Sequence, residues 1–364
     1  MRREVNQMQP DFQLLEDVLL RKGIPCRVPL YEHFVDQEII EAVMGWDFSK
    51  MDRGTREGEL KVWEKIIEFY RQMGYDYVPL EMAPRFASRG TLIGEDTALY
   101  SRGQRGWVDE HGGPIQSWED LERKEYWPDV EEAFDYELFQ AIADLVPKDM
   151  KIIGGASGGP FEHASFLMGL TKLCMAIYDD PDFVACFFEK IGKTLVGVAE
   201  RLVKLDAVGA YRFGDDLGFK TATMLSPEIL RKYVFPWQKK VVEVVHEAGK
   251  PFVLHSCGNL EMIMEDLIED VGIDAKHSYE DVIMPVAEAK KRWGDRIAIL
   301  GGIDVDYLCR HTPAEIKEYT KKVLDACAPG GGYAAGSGNT IANYVPVESY
   351  LAMLEAVREF NGMA

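Results

Sequence analysis

Eight short apolar runs constrain the fold of this chain more than any other feature. They lie at 27–33, 75–80, 151–156, 207–213, 251–255, 273–277, 297–300 and 332–335. Each reads as a strand, and helical patterns separate most of them. Ser226-Pro227-Glu228 opens a helix expected over 226–248, and Thr312-Pro313-Ala314-Glu315 opens another with Thr as cap, Pro in the first turn and Glu at the third position. Strands that alternate with helices pair in parallel. Eight such units in 364 residues, 47% of them apolar, point to one (β/α)₈ TIM barrel, a single α/β domain over 1–364. An open doubly wound sheet is the alternative. One stretch breaks the alternation: 92–127 is rich in glycine and alternating aromatics. It reads as a hairpin inserted after the second strand, either a lid over the barrel mouth or a surface excursion.

Charge and cysteine usage exclude several classes. A formal charge of −20 argues against nucleic acid or anionic membrane as partners. No apolar run approaches the roughly 18 residues of a membrane span. The six cysteines show no paired spacing and the first residues carry no signal-peptide pattern, so a reducing cytoplasm is expected.

Active sites of such barrels gather at the C-terminal strand ends. Run five ends in His255-Ser256-Cys257-Gly258. A His and a Cys two apart in an extended segment face the same side. An imidazole nitrogen and a thiolate held there suit Zn²⁺, although a buried Cys beside a hydrogen-bonded His has the same spacing. The other runs end in Glu32-His33, in Glu81, in the turn Ser157-Gly158-Gly159-Pro160 followed by Phe161-Glu162-His163, in Asp215-Asp216, in His277-Ser278-Tyr279-Glu280, in Gly301-Gly302-Ile303-Asp304 and in Gly336-Ser337-Gly338-Asn339. Five of the seven histidines, at 33, 111, 163, 255 and 277, fall in these segments or in the inserted stretch. Asp215-Asp216 has a second reading as a helix cap or a partner of Arg212. The Ser157 turn has one as a phosphate cradle without the usual lysine.

Taken together, His255-Ser256-Cys257-Gly258-Asn259, the run Ala210 to Asp216, Leu225-Ser226-Pro227-Glu228, Leu300-Gly301-Gly302-Ile303-Asp304 and the C-terminal run from Gly332 to Met353 resemble the uroporphyrinogen decarboxylase superfamily. They look most like its zinc-dependent, corrinoid-linked methyltransferase branch, the methyltransferase I component of O-demethylases. Decarboxylases of the family carry an arginine-rich stretch after the first strand, where this chain has Pro29-Leu30-Tyr31-Glu32-His33-Phe34, and a Gly-His-Gly on the last strand, where it has Gly336-Ser337-Gly338. The methyltransferase resemblance implies His255 and Cys257 as zinc ligands. The third family ligand, a Cys, falls on Ser337, which leaves two options: a carboxylate takes its place, Asp216 first, with Glu32 and Glu81 in reach, or the site holds no zinc and the chemistry differs. The implied reaction moves a methyl group from a methoxylated small molecule to the cobalt of a corrinoid on a partner protein. Asp215, Glu162 or His277 would protonate the leaving group. Tyr31, Phe34, Phe161, Tyr211, Phe213 and Tyr279, with Ser337 and Asn339, would form the substrate wall and suit an aromatic acid, although the same rings serve equally as barrel core. Decarboxylation, and a non-catalytic binding barrel, are the other readings.

Overall fold

The computed structural model describes residues 9–87, 90–108 and 112–363. Its strands, in chain order, are β1 (Tyr77–Met82), β2 (Thr91–Glu95), β3 (Gln104–Val108), β4 (Lys151–Ala156), β5 (Val208–Gly214), β6 (Phe252–His255), β7 (Ala275–His277), β8 (Ala298–Leu300) and β9 (Tyr333–Ala334). Seven of them form one parallel sheet in the order β1-β4-β5-β6-β7-β8-β9. These seven coincide with seven of the eight expected runs. β5 is buried along its whole length, as a strand covered on both faces must be.

The run at 27–33 departs from expectation. It joins the sheet through a single bridge, Leu30 to Ala335, with Tyr31 N donating to Ala335 O and Ala335 N donating to Pro29 O, each at 2.8 Å. Pro25 and Pro29 have no N–H to offer a ladder. On its other side the segment meets β1 through a side chain: Glu32 N donates to the Tyr77 hydroxyl at 2.8 Å, which donates back to Glu32 O. One short segment thus touches both edges of the sheet. The sheet therefore curls back on itself, and the architecture is TIM-barrel-like.

The helices pack outside. Pro313–Cys327 starts with the full capping box of Thr312 and Glu315. The helical stretch expected over 226–248 is interrupted: Pro227–Ile229 gives way to a wide π turn, Leu230–Val234, before Phe235–Glu247. Pro236 accounts for the widening, since it cannot return a hydrogen bond to the preceding turn. Within 92–127, β2 and β3 pair antiparallel from Thr91–Val108 to Glu95–Gln104. The remainder is loop and two short helices, Trp118–Glu122 and Lys124–Tyr126. His111 lies outside the described residues. Among the described residues, no helix is long and apolar enough to cross a membrane.

Candidate metal centre

Strand register assembles the centre. β5 and β6 pair Gly214 with His255, and β6 and β7 pair His255 with His277. Beyond β6 the chain turns at Gly258, where φ is +87° and a Cβ would sit 2.1 Å from the Gly218 carbonyl carbon; only glycine fits. That turn presents Cys257. Its Sγ lies 3.5 Å from His255 Nε2, its N–H donates to Asp216 Oδ1 at 2.8 Å, and the same carboxylate oxygen is 3.9 Å from His255 Nε2. Potential ligand atoms of Asp216, His255 and Cys257 all lie within 4.8 Å of one another.

These donors fit zinc. A tetrahedral ion with Zn–S of about 2.3 Å and Zn–N of about 2.0–2.1 Å sets sulfur and nitrogen roughly 3.5 Å apart. The pair shows 3.5 Å. The carboxylate stands slightly wider than the roughly 3.4 Å such an ion asks of a nitrogen–oxygen pair. Burial, followed by the Asp216 charge, pushes the Cys257 thiol up to about 12, and burial holds His255 well below its usual range, hence neutral. A neutral imidazole and a thiol that yields its proton to a metal suit a zinc site.

The loop after β9 reaches the centre with Asn339, whose Nδ2 donates to Cys257 Sγ at 3.3 Å. Ser337 does something else. Its N–H donates to Glu32 Oε1 at 2.7 Å, its hydroxyl touches Glu32 Oε2, and the same hydroxyl reaches Asn339 O at 2.9 Å. A hydroxyl has one hydrogen, and the Asn339 carbonyl can only accept. A protonated Glu32 that donates to Ser337 Oγ satisfies all three groups, and burial raises Glu32 to about 8.

The remaining candidates scatter. Asp215 is fully buried and accepts from Glu162 N at 2.8 Å, Phe161 N at 3.3 Å and Gln238 Nε2 at 2.7 Å. It caps the helix Pro160–Met168 from a distance, and this carboxylate occupies the seat that a phosphate on the Ser157 turn would need. Burial raises Asp215 to about 7. Arg212 pairs with Glu81 rather than with the aspartates. Asp216 is therefore the carboxylate left at the metal donors, since Glu81 and Glu32 are otherwise engaged. Glu162 does line the cleft, and burial, then the Asp215 and Asp216 charges, raise its carboxyl well above the usual range. His277 does not line it: it is fully buried beneath His255, and burial drops it to about 3, which leaves no proton to deliver.

The cleft has a volume of about 380 Å³, and its wall includes His33, Phe34, Glu81, Glu162, His163, Phe166, Asp216, His255, Cys257 and Asn339. Tyr31, Phe161, Tyr211 and Phe213 are core residues. Tyr211, for example, accepts the Ala156 N–H at 3.1 Å. Tyr279 borders neighbouring cavities instead. Two further residues stand at the centre. His33 stacks on His255 with ring centroids 3.8 Å apart, and its Nδ1 has no hydrogen-bond partner among the described residues; its position at a strand end was the available signal. Lys276 carried none. Its buried Nζ donates to Ser256 O at 3.1 Å and Ser278 O at 2.6 Å, tying together the strand ends beside Cys257.

A fold of this kind with polar groups at its strand ends defines a barrel-type enzyme scaffold, and comparison with known proteins identifies the family. Residues 110–360 match the uroporphyrinogen decarboxylase (URO-D) family, and the chain belongs to it. It is 28% identical over 228 residues to the uroporphyrinogen decarboxylase of Anaeromyxobacter dehalogenans, covering 60% of each protein. It is 26% identical over 229 residues to the methylcobamide:CoM methyltransferase of Methanosarcina barkeri, covering 62% of each. Less than two thirds of either relative's length is thus matched. A solved methyltransferase from Methanosarcina mazei superposes with a TM-score of 0.69 at 21% identity, over 95% of this chain and 98% of that one, a likeness of fold.

Proposed function

We propose that this chain is a single (β/α)₈-barrel domain that moves a methyl group between a small methoxylated molecule and a corrinoid carried on a partner protein, with Zn²⁺ held by His255, Cys257 and Asp216. The observation that carries this reading is the convergence of those three donors at zinc-compatible separations. Likeness to a methylcobamide:CoM methyltransferase supports the corrinoid. Zn²⁺ in that seat supplies a Lewis acid for a departing oxygen anion. Asn339 steadies the Cys257 sulfur from the side. Glu162, protonated on the cleft wall, gives its proton to the leaving group. Phe34 and Phe166, with His33 and His163, offer flat apolar walls to an aromatic donor. Among the described residues that line the cleft there is no lysine or arginine, and a methoxybenzene is the donor we propose.

The test is the cobalt absorbance of a cognate corrinoid protein. Formation of methyl-Co(III) from Co(I) is expected with methoxybenzenes, in a panel that also holds methoxybenzoates, methanol and methylamines. Decarboxylation is the second reading, favoured by the matched decarboxylases. A tetrapyrrole with eight carboxylates needs cationic partners, and the described residues of the cleft wall include no lysine or arginine. A flat cobalt trace alongside carbon dioxide release from uroporphyrinogen would establish the second reading over the first.

A further inference from the structure

His277 lies beneath the cleft, at the end of β7, with both ring nitrogens occupied. Its Nε2 is 3.0 Å from the Ser337 backbone oxygen, and its Nδ1 is 2.8 Å from His255 Nδ1. A carbonyl oxygen only accepts, so His277 Nε2 carries the hydrogen. A neutral imidazole with hydrogen on Nε2 has a bare Nδ1. That nitrogen must accept, so His255 Nδ1 carries the hydrogen between the two rings. His255 Nε2 is then left with its lone pair, 3.5 Å from Cys257 Sγ and 3.9 Å from Asp216 Oδ1. A bare Nε2 is compatible with the Cys257 contact, since a thiol can donate to it. The opposite assignment would put hydrogens on both nitrogens of His277 and so a positive charge in a fully buried pair of rings, which is costly.

The sequence reserves space for this arrangement. Gly301 has φ +71°, and a Cβ there would fall 2.2 Å from the Ser337 oxygen and 2.8 Å from His277 Nε2. The first glycine of Leu300-Gly301-Gly302-Ile303-Asp304 thus leaves room for the bond between Ser337 and His277.

We propose that His277 is a positioning residue: it fixes the tautomer and ring orientation of His255, so that Nε2 is the atom offered to the metal, and Ser337 acts on the centre through its backbone oxygen. This deepens the metal reading above and rests on it. Partners of this kind are worth roughly 10–100-fold in metal affinity. Zinc affinity, measured by chelator competition, should fall by about that factor in His277→Leu. It should recover in His277→Gln, whose carbonyl can accept from His255 Nδ1 and whose amide can donate to Ser337 O. Ligand-field bands of the Co²⁺-loaded protein should change in the leucine variant and return in the glutamine variant. Unchanged affinity in a folded His277→Leu overturns the proposal. If that variant does not fold, the metal-free wild type decides, since ¹⁵N-histidine spectra report each tautomer: Nε2–H on His277 and Nδ1–H on His255 are expected, and the reverse overturns it. A wild type that takes up no zinc sinks the metal reading, while the tautomers still decide the role of His277.

Discussion

Glu32 offers the sharpest stability test, because a buried acid that keeps its proton makes folding depend on pH in a known direction. Its ordinary value is 4.5 and burial raises it to about 8 in the fold. Between those values the unfolded chain has lost the proton and the folded chain retains it. The raised value means that the contribution is fully present below about pH 4.5 and is lost as pH rises through about 8. At 1.36 kcal/mol per unit, the loss between pH 5 and pH 8 is about 3.5 kcal/mol. Other buried groups titrate in the same window, Asp215 among them, so the measurement must be a difference. Glu32→Gln is the proper reference: its amide can donate to Ser337 Oγ and its carbonyl can accept from Ser337 N. Urea unfolding followed by tryptophan fluorescence at half-unit pH steps gives both profiles. The wild type should lose about 3.5 kcal/mol relative to the variant from pH 5 to pH 8. Parallel profiles would refute both the protonated Glu32 and the hydrogen-bond count at Ser337 from which it follows.

Three further outcomes are expected. Zinc uptake near pH 7 should release close to one proton, because the Cys257 thiol sits at about 12 without metal and binds as thiolate; calorimetry in buffers of different ionisation enthalpy counts it, and a count of zero removes Cys257 from the ligand set. Cys257→Ser should strip most of the zinc while the far-UV spectrum stays native, as read by metal analysis and circular dichroism. Glu81→Leu should cost about 3–5 kcal/mol in chemical denaturation, since it leaves the Arg212 guanidinium buried without its carboxylate, and adding Arg212→Met should recover much of that; a neutral single variant contradicts the pairing.

Seven of the eight strands were readable because a buried parallel strand writes itself as a short apolar run. The eighth differs for a local reason: Pro29 removes a ladder donor from a run that otherwise has the right composition. The approach of His255 to Cys257 was readable because their spacing is set within one strand end. Asp216 was reachable by strand adjacency, since β5 pairs with β6. What could not be read depends on direction perpendicular to the chain. Tyr31, Tyr211 and Phe213 lie in or beside the apolar runs that lead to the mouth, yet their rings turn to the core. Asp215 and Asp216 are neighbours with opposite fates, one buried under a helix start and the other beside Cys257 and His255. The exchange of Cys for Ser at 337 looked like a missing ligand. In three dimensions the loop that carries Ser337 and Asn339 still serves the centre, through a carbonyl on His277 and an amide on Cys257. A backbone carbonyl makes that contact whatever side chain the position carries, and a one-letter code records only the side chain.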